Sequence, residues 1–182
     1  FGARAGRGAA AFARANPKPG AGAAKAGEAA QERLRELFGR DGGNDTVSGL
    51  RKAMNDTMES GAGIYRSEDT LRETCGILAD LRTRYRKMQL QDRSNVFNTD
   101  LIQTLELGCM LDVASALAHS ALERKESRGS HQRLEYPGRD DANYLKHSLA
   151  SYHGAEPSSI SYLDVVITKS QPAERVYGGA AT

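Results

Sequence analysis

Cysteine is scarce in these 182 residues: Cys75 and Cys109 stand alone, with no CxxC pair and no His/Cys cluster at ligand spacing. That spacing argues against an iron–sulfur or zinc site built from this chain, and two isolated thiols fit a reducing compartment. Charge of one sign is also missing. Lysine plus arginine number 25 against 23 aspartates and glutamates, so no overall field for nucleic acid is expected. No apolar run approaches the roughly 20 residues of a membrane span, and no charged start precedes a short apolar segment; the chain is expected to be soluble by itself. A Walker loop, a GxGxxG and a segment suited to a PLP lysine are all lacking, as is any 20- to 50-residue repeat. The length nevertheless suffices for one domain with a real core, without disulfides.

What is present begins in mid-helix. The first residue is Phe1, and "FGARAGRGAAAFARA" reads as the interior of a helix, so the chain is expected to be the tail of something longer. Alanine favours that helix, while Gly2, Gly6 and Gly8 each oppose it by about 1 kcal/mol. Small residues at such spacing suit close packing on an element outside this chain. "NPKPGAGAAKAG" then has linker composition, placing a boundary at 16–27.

Four helices are predicted beyond it. The first, about 28–40, carries Leu34, Leu37 and Phe38 and stops at Gly39 and "DGGND". Thr46 caps the second, about 46–60, on which Val47, Leu50, Met54 and Met58 fall on one face. The third, about 67–88, opens on Ser67, an N-cap worth about 1 kcal/mol. Glu68 and Asp69 suit its positive end, and Arg82, Arg84, Arg86 and Lys87 its negative end. Leu71, Thr74, Leu78, Leu81, Tyr85 and Met88 form its seam. The fourth, about 95–125, is the central helix, roughly 45 Å long at 1.5 Å per residue. Ile102, Leu105, Cys109 and Val113 cover one side of it and Met110, Leu111, Ala114, Leu117, Ala118 and Ala121 another, so neighbours are expected to press on it from more than one direction.

After Asp141 the pattern turns to tyrosine, valine and isoleucine. "NYLKHSLASY" and "ISYLDVVITKS" flank the turn residues "HGAEPSS", which predicts a β-hairpin at about 143–170. The fold class is therefore mainly α: a bundle of antiparallel helices with a long central helix, an irregular crossing and a small C-terminal β-hairpin.

Two stretches invite a chemical reading. Asp112, Ser115 and His119 lie within about 60° of one another on a helical wheel and imitate a hydrolase triad. Three residues on one straight helix point sideways in parallel, whereas a serine nucleophile needs a sharp turn beside an oxyanion hole. A polar stripe, with Ser115 and Glu123 bonding His119, is expected instead. The second stretch is "RKESRGSHQRLEYPGRDD", residues 124–141. Arg124, Lys125, Arg128, Arg133 and Arg139 face Glu126, Glu135, Asp140 and Asp141, so the segment supplies its own counter-ions. Gly129 permits a turn and Pro137 fixes the exit. It reads as an ion-paired crossing shaped by arginine contacts, with His131 a hydrogen-bonded structural group rather than a proton carrier.

"VFNTDLIQTLELG", "AHSALERKESRGSHQRLEYPGRDDANYLKHSLA" and "VVITKSQPAERVYGG" resemble the C-terminal part of the flavoprotein subunit of fumarate reductase and succinate dehydrogenase. "DGGNDTVSGLRKAMNDTMESGAGIYRS" and the "ERVYGG" ending are more similar to the fumarate reductase branch. The linker matches in character and not in letters. The resemblance implies an oxidoreductase with covalently held FAD that interconverts fumarate and succinate in anaerobic respiration. Electrons would pass through an iron–sulfur subunit, membrane anchor subunits and quinone, at the cytoplasmic face of the membrane. It further implies that residues 1–15 end the FAD-binding domain, that 28–182 form the C-terminal domain, and that flavin, substrate and catalytic residues all lie upstream. No catalytic, cofactor-binding or metal-ligating residue is then expected in this chain. Arg124, Arg128, His131, Arg133, Arg139, Asp140 and Asp141 are the candidates for a structural or docking role. The alternatives are a succinate dehydrogenase of aerobic respiration, a purely structural helical module, a stand-alone interaction domain and L-aspartate oxidase, which the long ending fits less well.

Overall fold

A computed structural model describes residues 1–18, 20, 22–154 and 156–173. The "ERVYGG" ending lies outside the described residues. Helices α1 (Gly2–Ala15) and α2 (Ala23–Gly39) lead into α3 (Val47–Gly61), α4 (Glu68–Lys87) and α5 (Thr99–Glu123). Two-residue strands β1 (Tyr65–Arg66) and β2 (Gln132–Arg133) pair in parallel. A single-turn helix α6 (Asp141–Tyr144) then precedes β3 (Lys146–His153) and β4 (Glu156–Asp164), an antiparallel hairpin.

The caps set the helix starts. Thr46 accepts a hydrogen bond from the Gly49 N–H at 3.1 Å. Ser67 and Thr70 form a reciprocal pair, the Ser67 hydroxyl accepting from the Thr70 N–H at 3.2 Å and the Thr70 hydroxyl from the Ser67 N–H at 3.1 Å. At the start of α5 the choice falls on Asn98, whose side-chain oxygen accepts from the Leu101 N–H at 2.7 Å. That cap shortens α5 to 25 residues. The linker also proves shorter than its composition suggests, because Ala23, Ala24, Lys25 and Ala26 outweigh Gly27 and join α2.

Leu71, Thr74, Leu78, Leu81, Tyr85 and Met88 are all buried, so the predicted seam of α4 is the one that packs. From Leu78 onward it meets Val47, Leu50 and Met54 of α3 and Leu107, Leu111, Ala114 and Ala118 of α5 in one core, while Leu71 packs with Ala62 and Ala121 in a second, smaller cluster. Cross-links fix the directions. Arg84 near the end of α4 pairs with Asp45 just before α3, and Arg82 reaches the Gly108 carbonyl in the first half of α5, so α4 runs antiparallel to both. Two glycines permit the close approach: a Cβ on Gly108 would stand 2.5 Å from the Tyr85 hydroxyl, and one on Gly61 would collide with the Thr74 hydroxyl.

The expectation that neighbours press on α5 from more than one direction holds, but not on the side of Ile102 and Val113. The buried positions of α5 lie on one face, while Ile102, Val113 and Leu117 are 54%, 68% and 42% exposed. Helices α3 and α4 cover that face, while the hairpin lies to one side of it, over Asp112 and Ala116. By length and composition α5 could cross a membrane; alanines among its leucines raise its hydropathy, while Asp112, Ser115 and His119 interrupt any long unbroken apolar run. Among the described residues α1 buries nothing, and α2 buries only Leu37. The hairpin lies on α5 and occupies 146–164, inside the predicted 143–170. Asn143 and Tyr144 belong instead to α6, where Asp140 accepts from the Asn143 N–H at 3.0 Å.

Candidate functional site

The crossing from Arg124 to Asp141 is organised around one buried carboxylate. Glu126 has no solvent exposure. It takes ion pairs from Arg124 and from Arg128, the latter forked at 2.9 and 3.0 Å, and accepts the Asp140 N–H at 2.8 Å. Burial by itself would raise the Glu126 pKa, but the hydrogen bonds from Arg128, the Asp140 backbone and Arg124 outweigh it and hold the carboxyl below its ordinary value. Arg128 extends the chain to Asp141 at 2.6 Å, and Asp141 receives Arg139 at 2.9 Å. Arg124 turns the other way. It donates to the carbonyls of Tyr144 and Lys146 and to the Ser148 hydroxyl, and stacks 5.5 Å from the centre of the Tyr144 ring. One carboxylate thus ties the end of α5 to α6 and to β3.

A second set of contacts closes two helix ends. Arg133 is buried, and its Nη1 donates to the carbonyls of Ala121, Leu122 and Arg124 at 3.1, 3.0 and 3.3 Å. These are the acceptors that the last turn of a helix leaves without partners, at its negative end. Glu135 does the converse for α4: its Oε1 accepts the Glu68 N–H at 2.7 Å, and that bond holds its carboxyl below the usual range. Arg133 Nε and Glu135 Oε2 face each other at 3.4 Å. The Ser127 hydroxyl donates to the Tyr136 carbonyl at 2.7 Å and accepts the Arg133 N–H at 2.9 Å, which pins the strand carrying Arg133.

His131 sits among cations. Its Nε2–H donates to the Arg124 carbonyl at 3.1 Å, leaving Nδ1 to accept from Arg66 Nη1 at 2.8 Å. Only the neutral Nε2–H tautomer satisfies both bonds. Burial pushes its pKa down, and the charges of Arg66, Arg133 and Arg124 push the same way. Arg66 arrives through β1, which pairs with β2; the Gln132 and Leu134 N–H groups donate to the Ile64 and Arg66 carbonyls at 3.1 and 2.9 Å.

Of the seven candidates, Arg124, Arg128, Arg139, Asp140 and Asp141 gather around Glu126, while Arg133 and His131 gather beneath the helix ends. Arg66 and Glu68 join that site without having been singled out. No local signal marks them, because a parallel pairing of two-residue strands across 67 positions leaves no periodicity.

The Asp112, Ser115 and His119 stripe is structural. Asp112 is paired with Arg82. His119 Nδ1 donates to the Ser115 carbonyl at 2.8 Å, with the Ser115 hydroxyl at 3.3 Å. Glu123 is not among the partners of His119; its carbonyl instead faces the hydroxyls of Tyr144 and Tyr162, each at 3.4 Å.

A three-helix core with a hairpin lying on α5, and a crossing whose buried charges neutralise one another, define an α-helical domain closed by an ion-paired connector. The chain belongs to the fumarate reductase flavoprotein C-terminal family, whose profile matches residues 51–177. It is 50% identical to the fumarate reductase flavoprotein subunit of Haemophilus influenzae over 146 residues, which are 80% of this chain and 24% of that protein. The succinate dehydrogenase flavoprotein subunit of Rickettsia felis is 37% identical over 160 residues, 82% of this chain and 27% of that one. A solved quinol fumarate reductase chain from Escherichia coli superposes with a TM-score of 0.83 at 44% identity, covering 92% of this chain and 29% of that chain. The chain spans about a quarter of the length of the curated relatives it matches.

Proposed function

We propose that this chain is the C-terminal quarter of a fumarate reductase flavoprotein subunit, an FAD-dependent oxidoreductase that interconverts fumarate and succinate in anaerobic respiration. Electrons pass through an iron–sulfur subunit and a membrane anchor to quinone, at the cytoplasmic face of the membrane. The observation that carries this reading is the identity of 50% to a fumarate reductase subunit against 37% to a succinate dehydrogenase subunit. In this reading residues 1–15 end the flavin-binding domain, 16–27 contain the linker and 28–182 form the brace. A helix α1 with no buried residue suits a segment that packs on upstream structure.

The flavin, covalently held, belongs to that upstream structure. The cavities described in this chain measure about 210, 300, 400 and 340 Å³, and none has a glycine-rich turn opening a helix toward it. An extended dinucleotide does not fit them.

The part played by this chain is to hold shape. Glu126 and Arg133 fix the crossing from inside, and Arg128, Arg139, Asp140 and Asp141 form a mixed-charge rim for the iron–sulfur subunit, where paired charges set approach and register. The first test separates the chain from the subunit. The flavoprotein containing these residues should reduce fumarate with a reduced viologen donor, and the 182-residue chain alone should not; flavin binding with turnover by the chain alone overturns the reading. For the rim, Arg139→Glu and Arg128→Glu should lessen copurification of the iron–sulfur subunit. Normal assembly of a merely less stable protein would reduce the role to bracing.

A further inference from the structure

Most helix arginines of the bundle are spoken for: Arg35 by Glu32, Arg51 by Glu106, Arg72 by Glu68 and Arg84 by Asp45. Arg33 of α2 and Arg86 of α4 are different. Both are exposed, and neither has an acidic or hydrogen-bonding partner among the described side chains. They converge on one mouth, which Arg40, Arg82, Glu36 and Asp112 also line. Four guanidinium groups against two carboxylates leave an excess of two positive charges there. Arg82 is already committed to Asp112 and to the Gly108 carbonyl, and Arg86 follows it by one helical turn, an arrangement of like charges that disfavours the helix unless an anion intervenes.

Behind this mouth, between α4 and α5 and under the hairpin, lies a cavity of about 210 Å³. Its floor is apolar, from Leu78, Ala79 and Leu111, and Thr83, His119 and Tyr152 stand at its polar edge. An apolar floor with a few convergent polar groups is the usual form of a small-molecule site. The volume is small for a cofactor and adequate for a short carbon skeleton.

We propose that this groove binds a small organic dianion, a phosphate monoester or a dicarboxylate, with its charge taken by Arg86 and Arg33 and its carbon skeleton resting on Leu78 and Leu111. Guanidinium forks suit both headgroups equally. The site is separate from the crossing around Glu126, shares no residue with it, and does not depend on the activity proposed for the larger subunit.

The probes are phenyl phosphate and glutarate, with phenol as the uncharged control, each titrated calorimetrically into the 182-residue chain at low and moderate salt. At least one dianion should give saturable heat that weakens with salt, while phenol gives none. Arg86→Ala and Arg33→Ala should each weaken binding roughly tenfold or more, the worth of a charge-assisted hydrogen bond. Arg72→Ala, outside the groove, should leave it unchanged. Because Arg33 and Arg86 are exposed on different helices, circular dichroism should show both variants folded, and either one suffices. Preference for phenyl phosphate identifies a phosphoryl site and preference for glutarate a dicarboxylate site. Absence of saturable heat with both dianions, or equal weakening by Arg72→Ala, overturns the proposal.

Discussion

Replacing Glu126 by glutamine removes one charge from the centre of the crossing without changing its volume. In the native protein that carboxylate accepts from Arg124, twice from Arg128 and from the Asp140 N–H. The amide of Glu126→Gln keeps one acceptor and turns an NH2 group toward donors. Removing one partner of a buried ion pair costs about 3–5 kcal/mol. The lower end applies here, since Arg128 retains Asp141 and Arg124 retains two backbone carbonyls. A loss of about 3 kcal/mol in a chain of this length lowers the melting temperature by roughly 6–12 °C, and in urea it moves the midpoint without changing the slope. The pH dependence gives a second reading. The folded-state pKa of Glu126 lies below its ordinary value, so its contribution is fully present above the unfolded pKa and is lost as pH falls through the folded one. Wild type and variant should therefore differ most near neutrality and converge in acid. Urea curves that coincide at neutral pH would refute the reasoning, as would a difference that persists unchanged once the Glu126 carboxyl is protonated in the folded wild type.

Three further outcomes follow from the same geometry. Arg133→Lys keeps the charge but is shorter and lacks the Nε–H that faces Glu135 and the planar group over Tyr136, so its one nitrogen is drawn back from the three carbonyls that Nη1 reaches at the end of α5; the change should cost about 2–3 kcal/mol in urea unfolding, since bonds to charged groups are worth that much. His131 is held neutral with a lowered pKa, so stability should fall as pH drops below its unfolded value near 6.5 and level off beneath the folded one. Titration of the imidazole by NMR should show a midpoint under the ordinary value, and His131→Gln, able to donate and accept, should flatten that part of the pH profile. Gly61→Ala sets a methyl against the Thr74 hydroxyl and should cost about 1–3 kcal/mol as overpacking; combined with Thr74→Ala the loss should be less than additive in thermal melts.

Much of the bundle was legible because its signals are local. Ser67 and Thr46 act at three-residue range, and the seam from Leu71 to Met88 repeats at the helical period, so both α3 and α4 stand where capping and periodicity put them. The start of α5 was ambiguous among several polar residues until Asn98 was selected by the turn around Phe97, which takes a φ of 50°. The crossing was recognisable as self-neutralising from its composition alone. Its centre was not: Glu126 is one acid among four in that segment, and nothing in its neighbours distinguishes it as the one without solvent.

Amino-acid order alone determined that α3 and α4 are helical, that a hairpin ends the fold and that charge in 124–141 nearly balances, since caps, period and composition act over a few residues. Only the folded arrangement decided which face of α5 is covered, which carboxylate is desolvated, and that Arg133 and Glu135 meet opposite helix ends. Those outcomes depend on groups brought together from distant positions, Glu68 with Glu135 and Arg66 with His131. An ion pair gains its strength from the exclusion of water, and that exclusion exists only once the helices have packed.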